Sequence, residues 1–183
     1  MSEELFDLLD EEGNPIGLTK PRSAVHRDGD WHRVVHVWII NECGEVLLQR
    51  RCAKKDSYPD MLDISCAGHL SAGDDSLTGA LRELKEELDL KVKKNELVFI
   101  QTLKNSTKLG DDFLNNQFED VYILRTNKTI DDMNIQEEEV SEIVFVPYKK
   151  FKEMVNRRQP DLLIRKAEFA LLFEVLDKQL RTE

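Results

Sequence analysis

Apolar positions in this chain fall mostly into short runs with strand character, and helical spacing appears at only three places. Leu5-Phe6-Asp7-Leu8-Leu9 reads as a strand closed by the turn Asp10 to Pro15. His32 to Ile40, rich in β-branched and aromatic residues, predicts a longer strand. Asn41-Glu42-Cys43-Gly44 then predicts a hairpin turn into a strand from Glu45 to Gln49. A polar connection carrying Arg50, Arg51, Lys54 and Lys55 ends near Pro59. A short strand covers Leu62 to Cys66, and a Gly-containing loop covers Gly68 to Asp75. Ser76 to Leu88 predicts a helix capped by Asp74, Asp75 or Ser76. Leu97 to Leu103 and Phe118 to Leu124 predict strands, separated by a polar, mobile loop from Lys104 to Asn116. One more strand, Ile143 to Val146, precedes a helix opened by Pro147 and running to about Asn156. Leu162 to Leu180 is a long amphipathic helix that closes the sheet. Strands outnumber helices and short turns join them, so the expected fold is a mixed α+β sandwich.

The helix from Ser76 carries the chemistry. Leu77, Leu81, Leu84 and Leu88 form its apolar stripe, and Glu83, Glu86 and Glu87 form an acidic stripe expected on nearly the opposite side. Glu83 and Glu87 repel at i,i+4, and Glu86, Glu87 and Asp89 crowd the negative end of the helix dipole. A solvated acidic face would show the same periodicity. Local rules broken at this density are also what a compensating ligand leaves behind, and oxygen-only donors suit Mg²⁺ or Mn²⁺.

Composition narrows the classes. The 183 residues carry 26 Lys+Arg against 36 Asp+Glu, a formal charge of −10. Clustered phosphate contacts to nucleic acid are therefore not expected. With 40% hydrophobic and 34% charged residues, and apolar runs no longer than stretches such as Val37-Trp38-Ile39-Ile40, neither disorder nor a membrane span is expected. Three cysteines without CxxC spacing and an acidic start fit a reduced cytoplasmic chain with no signal peptide. An acidic protein that handles a polyphosphate needs cations to mediate.

The segment from Gly68 to Leu90 resembles the Nudix box: Gly, five residues, an acid, seven residues, then Arg-Glu-Leu-x-Glu-Glu-x-x-Leu. Gly68, Arg82, Glu83, Leu84, Glu86, Glu87 and Leu90 match in register. Asp74 stands where the family has a loop Glu, and Asp89 where it has a Gly. The resemblance implies a Nudix-type mixed β-sheet sandwiched between helices, in a single domain over residues 1–183. Residues 1–30 would form an N-terminal hairpin or extension, 68–90 the box, and 160–183 the C-terminal helix. It also implies a metal-dependent hydrolase of a nucleoside diphosphate linked to another moiety. In such an enzyme Glu83, Glu86 and Glu87 hold Mg²⁺ or Mn²⁺ with the Gly68 carbonyl, and Arg82 orients the glutamates. The partner implied is a small-molecule diphosphate; a homodimer is compatible with it, the oligomeric state being otherwise open.

Beyond the box, Arg22 to His26, the strand containing His36, the Arg50-Arg51…Lys54-Lys55 connection and Cys66-Ala67-Gly68-His69 resemble isopentenyl-diphosphate isomerase. In those enzymes a catalytic Cys directly precedes the Gly-His pair, and here that place is Ala67. Cys66 is one residue early, which in a strand turns its side chain to the other face. The isomerases also carry Arg at the position of Glu83, and neither Trp31 nor Trp38 matches their C-terminal Trp. Hydrolase is thus the expectation and isomerase the alternative. By the same resemblance Glu119 is a catalytic carboxylate, and His26, His36 and His69 match metal-site histidines. Arg50, Arg51 and Lys55 are candidate ligands for substrate phosphate.

Overall fold

The computed structural model describes residues 3–110 and 113–180. Strands β1 (Leu5–Leu9) and β2 (Pro15–Pro21) form an antiparallel ribbon, followed by helix α1 (Arg22–Asp28). The main sheet has seven strands: β3 (His32–Asn41), β4 (Glu45–Arg51), β5 (Leu62–Asp63), β6 (Cys66–His69), β7 (Leu97–Gly110), β8 (Phe113–Thr126) and β9 (Val140–Pro147). Its order is β5-β4-β3-β8-β7, with β6 on β3 and β9 on β4. β3 runs parallel to β8 from His32↔Gln117 to Asn41↔Thr126, and every other pair is antiparallel.

Helix α2 (Ser76–Leu88) covers one face, where Val35, Val37, Ile39 and Leu47 meet Leu84 and Leu88. Helices α3 (Tyr148–Asn156) and α4 (Lys166–Leu180) cover the other, where Trp38, Ile40 and Leu48 meet Phe151, Phe169 and Leu172. The alternation of side chains along β3 sends even-numbered residues to α3 and α4 and odd-numbered ones to α2. The expected mixed sheet between helices is what forms. No described helix is long and apolar enough to cross a membrane.

Helix α2 has the expected bounds. Asp75 is its N-cap, accepting from the Thr78 N–H at 2.8 Å, and Asp89 takes the left-handed C-cap at φ 53°. Other elements differ from expectation. The strand expected over 62–66 is split, because Ser65 steps between strands: its hydroxyl donates to the Leu47 carbonyl at 2.6 Å and accepts from the Ile39 N–H at 2.9 Å. This bridge holds β3 and β4 apart where β6 begins. Apart from residues 111–112, which lie outside the described ones, the loop expected over 104–116 is instead the far half of a hairpin of two 14-residue strands, paired out to Gly110↔Phe113. A polar ribbon of this kind is held by its ladder and cross-strand pairs, so it lacks hydrophobic alternation. Helix α4 starts at Lys166 rather than Leu162, because Leu162 and Leu163 bridge to Leu62 on the sheet edge. β2 and α1 had no counterpart in the sequence reading beyond an N-terminal hairpin or extension.

Candidate active site

A cavity of about 780 Å³ opens where β6, the β7–β8 hairpin and the segment before α4 converge on one end of α2. The acids of α2 form one wall. At 100° per residue Glu87 lies roughly 90° and Glu83 roughly 130° from the leucine stripe, while Glu86 is nearly opposite it, so Glu83 and Glu87 turn toward the backbone of β6 and are buried, while Glu86 is exposed. A Cβ on Gly68 would overlap the Glu83 carboxyl group, so any other residue here would push that carboxylate out of its place. Glu87 Oε2 accepts from the Ala67 N–H and from Gln49 Nε2, each at 3.3 Å, and also interacts with the Cys66 thiol. Arg82 spans the cluster, donating to Glu83 Oε1 at 2.7 Å, Glu86 Oε2 at 3.1 Å and the His69 carbonyl at 2.7 Å. Burial, and then the Glu87 charge, push the Glu83 carboxyl up to about 7; burial likewise raises Glu87, against the pull of Lys55.

A negatively charged cradle with too few protein cations is a fit for a divalent ion, and Glu83, Glu86, Glu87 and the Gly68 carbonyl are the groups that could hold it. Opposite them, Arg51 and Lys55 line the cavity. Arg51 is held by the Ser57 carbonyl and by Asp63, and Lys55 pairs with Glu139. Arg50 is not part of the site. Its alternate facing on β4 sends the guanidinium to Glu142, Asp161 and the Asp60 carbonyl.

The cavity floor is the α3–α4 face of the sheet. Glu119 lies there, its Oε1 accepting from Asn105 Nδ2 at 2.8 Å and standing 3.8 Å from Arg165. Ala67 faces the cavity, whereas Cys66 is fully buried under α2. Burial, and then the Glu87 and Glu83 charges, push the Cys66 thiol well up, so it is not a nucleophile. Among the histidines the grouping differs from expectation. His26 and His69 meet His32, and one nitrogen of each lies within 4.8 Å of the others. His32 Nδ1–H donates to the Asp30 carbonyl, which leaves its Nε2 as a lone pair; Nε2 of both His32 and His69 is buried without a partner. Burial depresses all three rings, His32 to about 4, and neutral imidazoles of this kind could hold a transition metal. His36 instead joins Glu119 and Glu168.

The NUDIX domain family model matches residues 30–166. The chain belongs to the Nudix family. Over all of its length it is 42% identical to Nudix hydrolase 3 of Arabidopsis thaliana, spanning only 25% of that longer protein. Against an uncharacterized Nudix hydrolase of Clostridium acetobutylicum it is 34% identical, over 86% of this chain and 77% of the relative. Similarity extends to the isopentenyl-diphosphate Delta-isomerase of Serratia proteamaculans, at 28% identity over 66% of this chain and 65% of that one. In fold, the crystal structure of the MutT protein of Methanosarcina mazei Go1 superposes with a TM-score of 0.59. It is 21% identical and covers 81% of this chain and 94% of its own. Nudix hydrolases generally use a divalent metal. Gln49, Asn105 and Arg165 of this Nudix domain, and Glu168 just beyond the matched span, carry no sequence signal, because nothing in their spacing separates them from surface polar residues.

Proposed function

We propose that this Nudix domain hydrolyses the phosphoanhydride of a small-molecule diphosphate, a nucleoside diphosphate linked to another moiety, with Mg²⁺ or Mn²⁺. The observation that carries the reading is the pair of buried carboxylates, Glu83 against Gly68 and Glu87 on the Ala67 N–H. Such burial is costly without a cation. When bound, the metal would polarise the phosphoryl oxygens and supply an activated water. Arg82 holds Glu83 and Glu86 in place, and Gln49 and the Ala67 N–H fix Glu87. Arg51 and Lys55 supply the positive charge facing the diphosphate. Glu119, held by Asn105, would accept a proton at its carboxylate in this reading. Isomerisation is disfavoured because the cavity wall at residue 67 is a methyl group with no thiol to donate.

A panel of nucleoside diphosphate sugars, dinucleotide polyphosphates, ADP-ribose, oxidised nucleotides and isopentenyl diphosphate, with Mg²⁺ or Mn²⁺ and with EDTA, tests the reading. Metal-dependent release of phosphate-containing products is expected. Glu87→Gln should lower turnover about 10²–10³-fold while slightly raising the melting midpoint in EDTA. Wild-type turnover in that variant would remove Glu87 from the site.

A further inference from the structure

The cavity floor holds a group of buried charges that the hydrolase reading uses only through Glu119. His36 and Trp38 lie two positions apart on β3 and therefore share a face. Glu168, in the first turn of α4, reaches both. Its Oε1 accepts from Trp38 Nε1 at 2.8 Å, and its Oε2 lies 3.0 Å from His36 Nδ1. Glu168 is 1% exposed and His36 3%. A carboxylate buried so completely needs matching positive charge; His36 is the titratable ring in hydrogen-bond contact with it, and the nearby Arg165 adds its charge. One nitrogen of His36, an oxygen of Glu119 and an oxygen of Glu168 lie within 4.8 Å of one another. Burial alone would discharge the ring, but the Glu168 charge, and after it that of Glu119, hold it above the usual imidazole value against the opposing Arg165. A cation shared by these three groups is the poorer account, since both oxygens of Glu168 already accept hydrogen bonds.

We propose that Glu168 and His36 form a charged dyad that positions Glu119: pinned by Glu168, the His36 ring fixes the Glu119 carboxylate toward the reacting diphosphate. Asn105 and Arg165 hold Oε1 of that carboxylate from the side, and the ring supplies the charge beneath it. His36 is thus a positioning residue. The proposal deepens the hydrolase reading and rests on it for one of its two measurements.

The test is a double-mutant cycle of His36→Gln and Glu119→Gln, with Glu168→Gln alongside. Turnover is followed on the best panel substrate, and the His36 ring nitrogens by ¹⁵N NMR. His36→Gln should lower kcat roughly tenfold or more with KM within about twofold. Added to Glu119→Gln, it should cost less than about twofold further. In the wild type the ring nitrogens should report a charged imidazole at pH 7, and Glu168→Gln should discharge it. Additive losses in the cycle would overturn the coupling to Glu119, and a neutral His36 in the wild type would overturn the dyad. If the wild type cleaves no diphosphate, the hydrolase reading fails and the dyad is judged by the nitrogen spectra alone. A ring still charged in Glu168→Gln then counts against it, and the wild-type spectrum decides if the variants do not fold.

Discussion

Arg82 Nε is buried without a hydrogen-bond partner, and the Asp74 carboxylate stands 3.5 Å away from it. The loop acid is one methylene shorter than the Glu usual at this place, and the gap shows the consequence. Asp74→Glu should therefore close a hydrogen bond and raise stability in EDTA by about 0.5–1.5 kcal/mol, read as a higher melting midpoint. A lowered midpoint would mean the loop has no room for the longer chain. Cys66→Ala should leave turnover within a few-fold of wild type, because the thiol is buried under α2 away from the cavity, while Ala67 and Gln49 still hold Glu87. Loss of several orders of magnitude in a folded variant would reopen isomerase chemistry. At this scale the box residues were legible because their register is strict over more than twenty positions. Glu168 and Arg165 were not, because two charges near a helix start look like surface residues until the sheet they reach is in place.

Among the elements, the segment joining α3 to α4 is fixed by an ion pair that no periodicity announces. Arg165 donates to both oxygens of Asp63, at 2.8 and 3.0 Å, and Asp63 is fully buried. Against the cost of burial, Arg165, and then Arg51, hold the Asp63 carboxyl down to about 2. An acid depressed in the folded state contributes stability above its unfolded value, and that contribution is lost as pH falls through the folded one. Arg165→Met should cost about 3–5 kcal/mol near neutrality, and the variant should lose little more between pH 4 and pH 2, where the wild type weakens. Chemical denaturation at pH 7 and pH 3 checks this, and equal losses at both would show that Asp63 is not the partner that counts. The boundaries of α2 were legible from its cap and its leucine spacing. The reach of the β7–β8 hairpin was not, since Asn105, Ser106 and Thr107 carry no apolar alternation to extend the strands.

For the whole molecule, the sandwich was legible because β3 and the flanking helices carry enough apolar residues to fill both faces of one sheet. The splitting of β3 from β4 at Ser65, which admits β6 and so places Gly68 beneath Glu83, has no signature in hydropathy. Metal should act on the entire fold through that placement: at a hundredfold excess over Kd, binding stabilises the folded state by about 2.7 kcal/mol. Thermal melts with millimolar Mg²⁺ or Mn²⁺ against EDTA measure it, and an unchanged midpoint would count against a metal at Glu83 and Glu87. The hook that Glu168 makes onto His36 and Trp38 has a further consequence, for synthesis. During translation the acid helix and most of the sheet leave the ribosome well before α4 does. A nascent chain halted after α3 would hold its box without the Glu168 anchor beneath the floor. On the hydrolase reading, such a chain would turn its substrate over roughly tenfold or more slowly, and full competence would come only once α4 has docked.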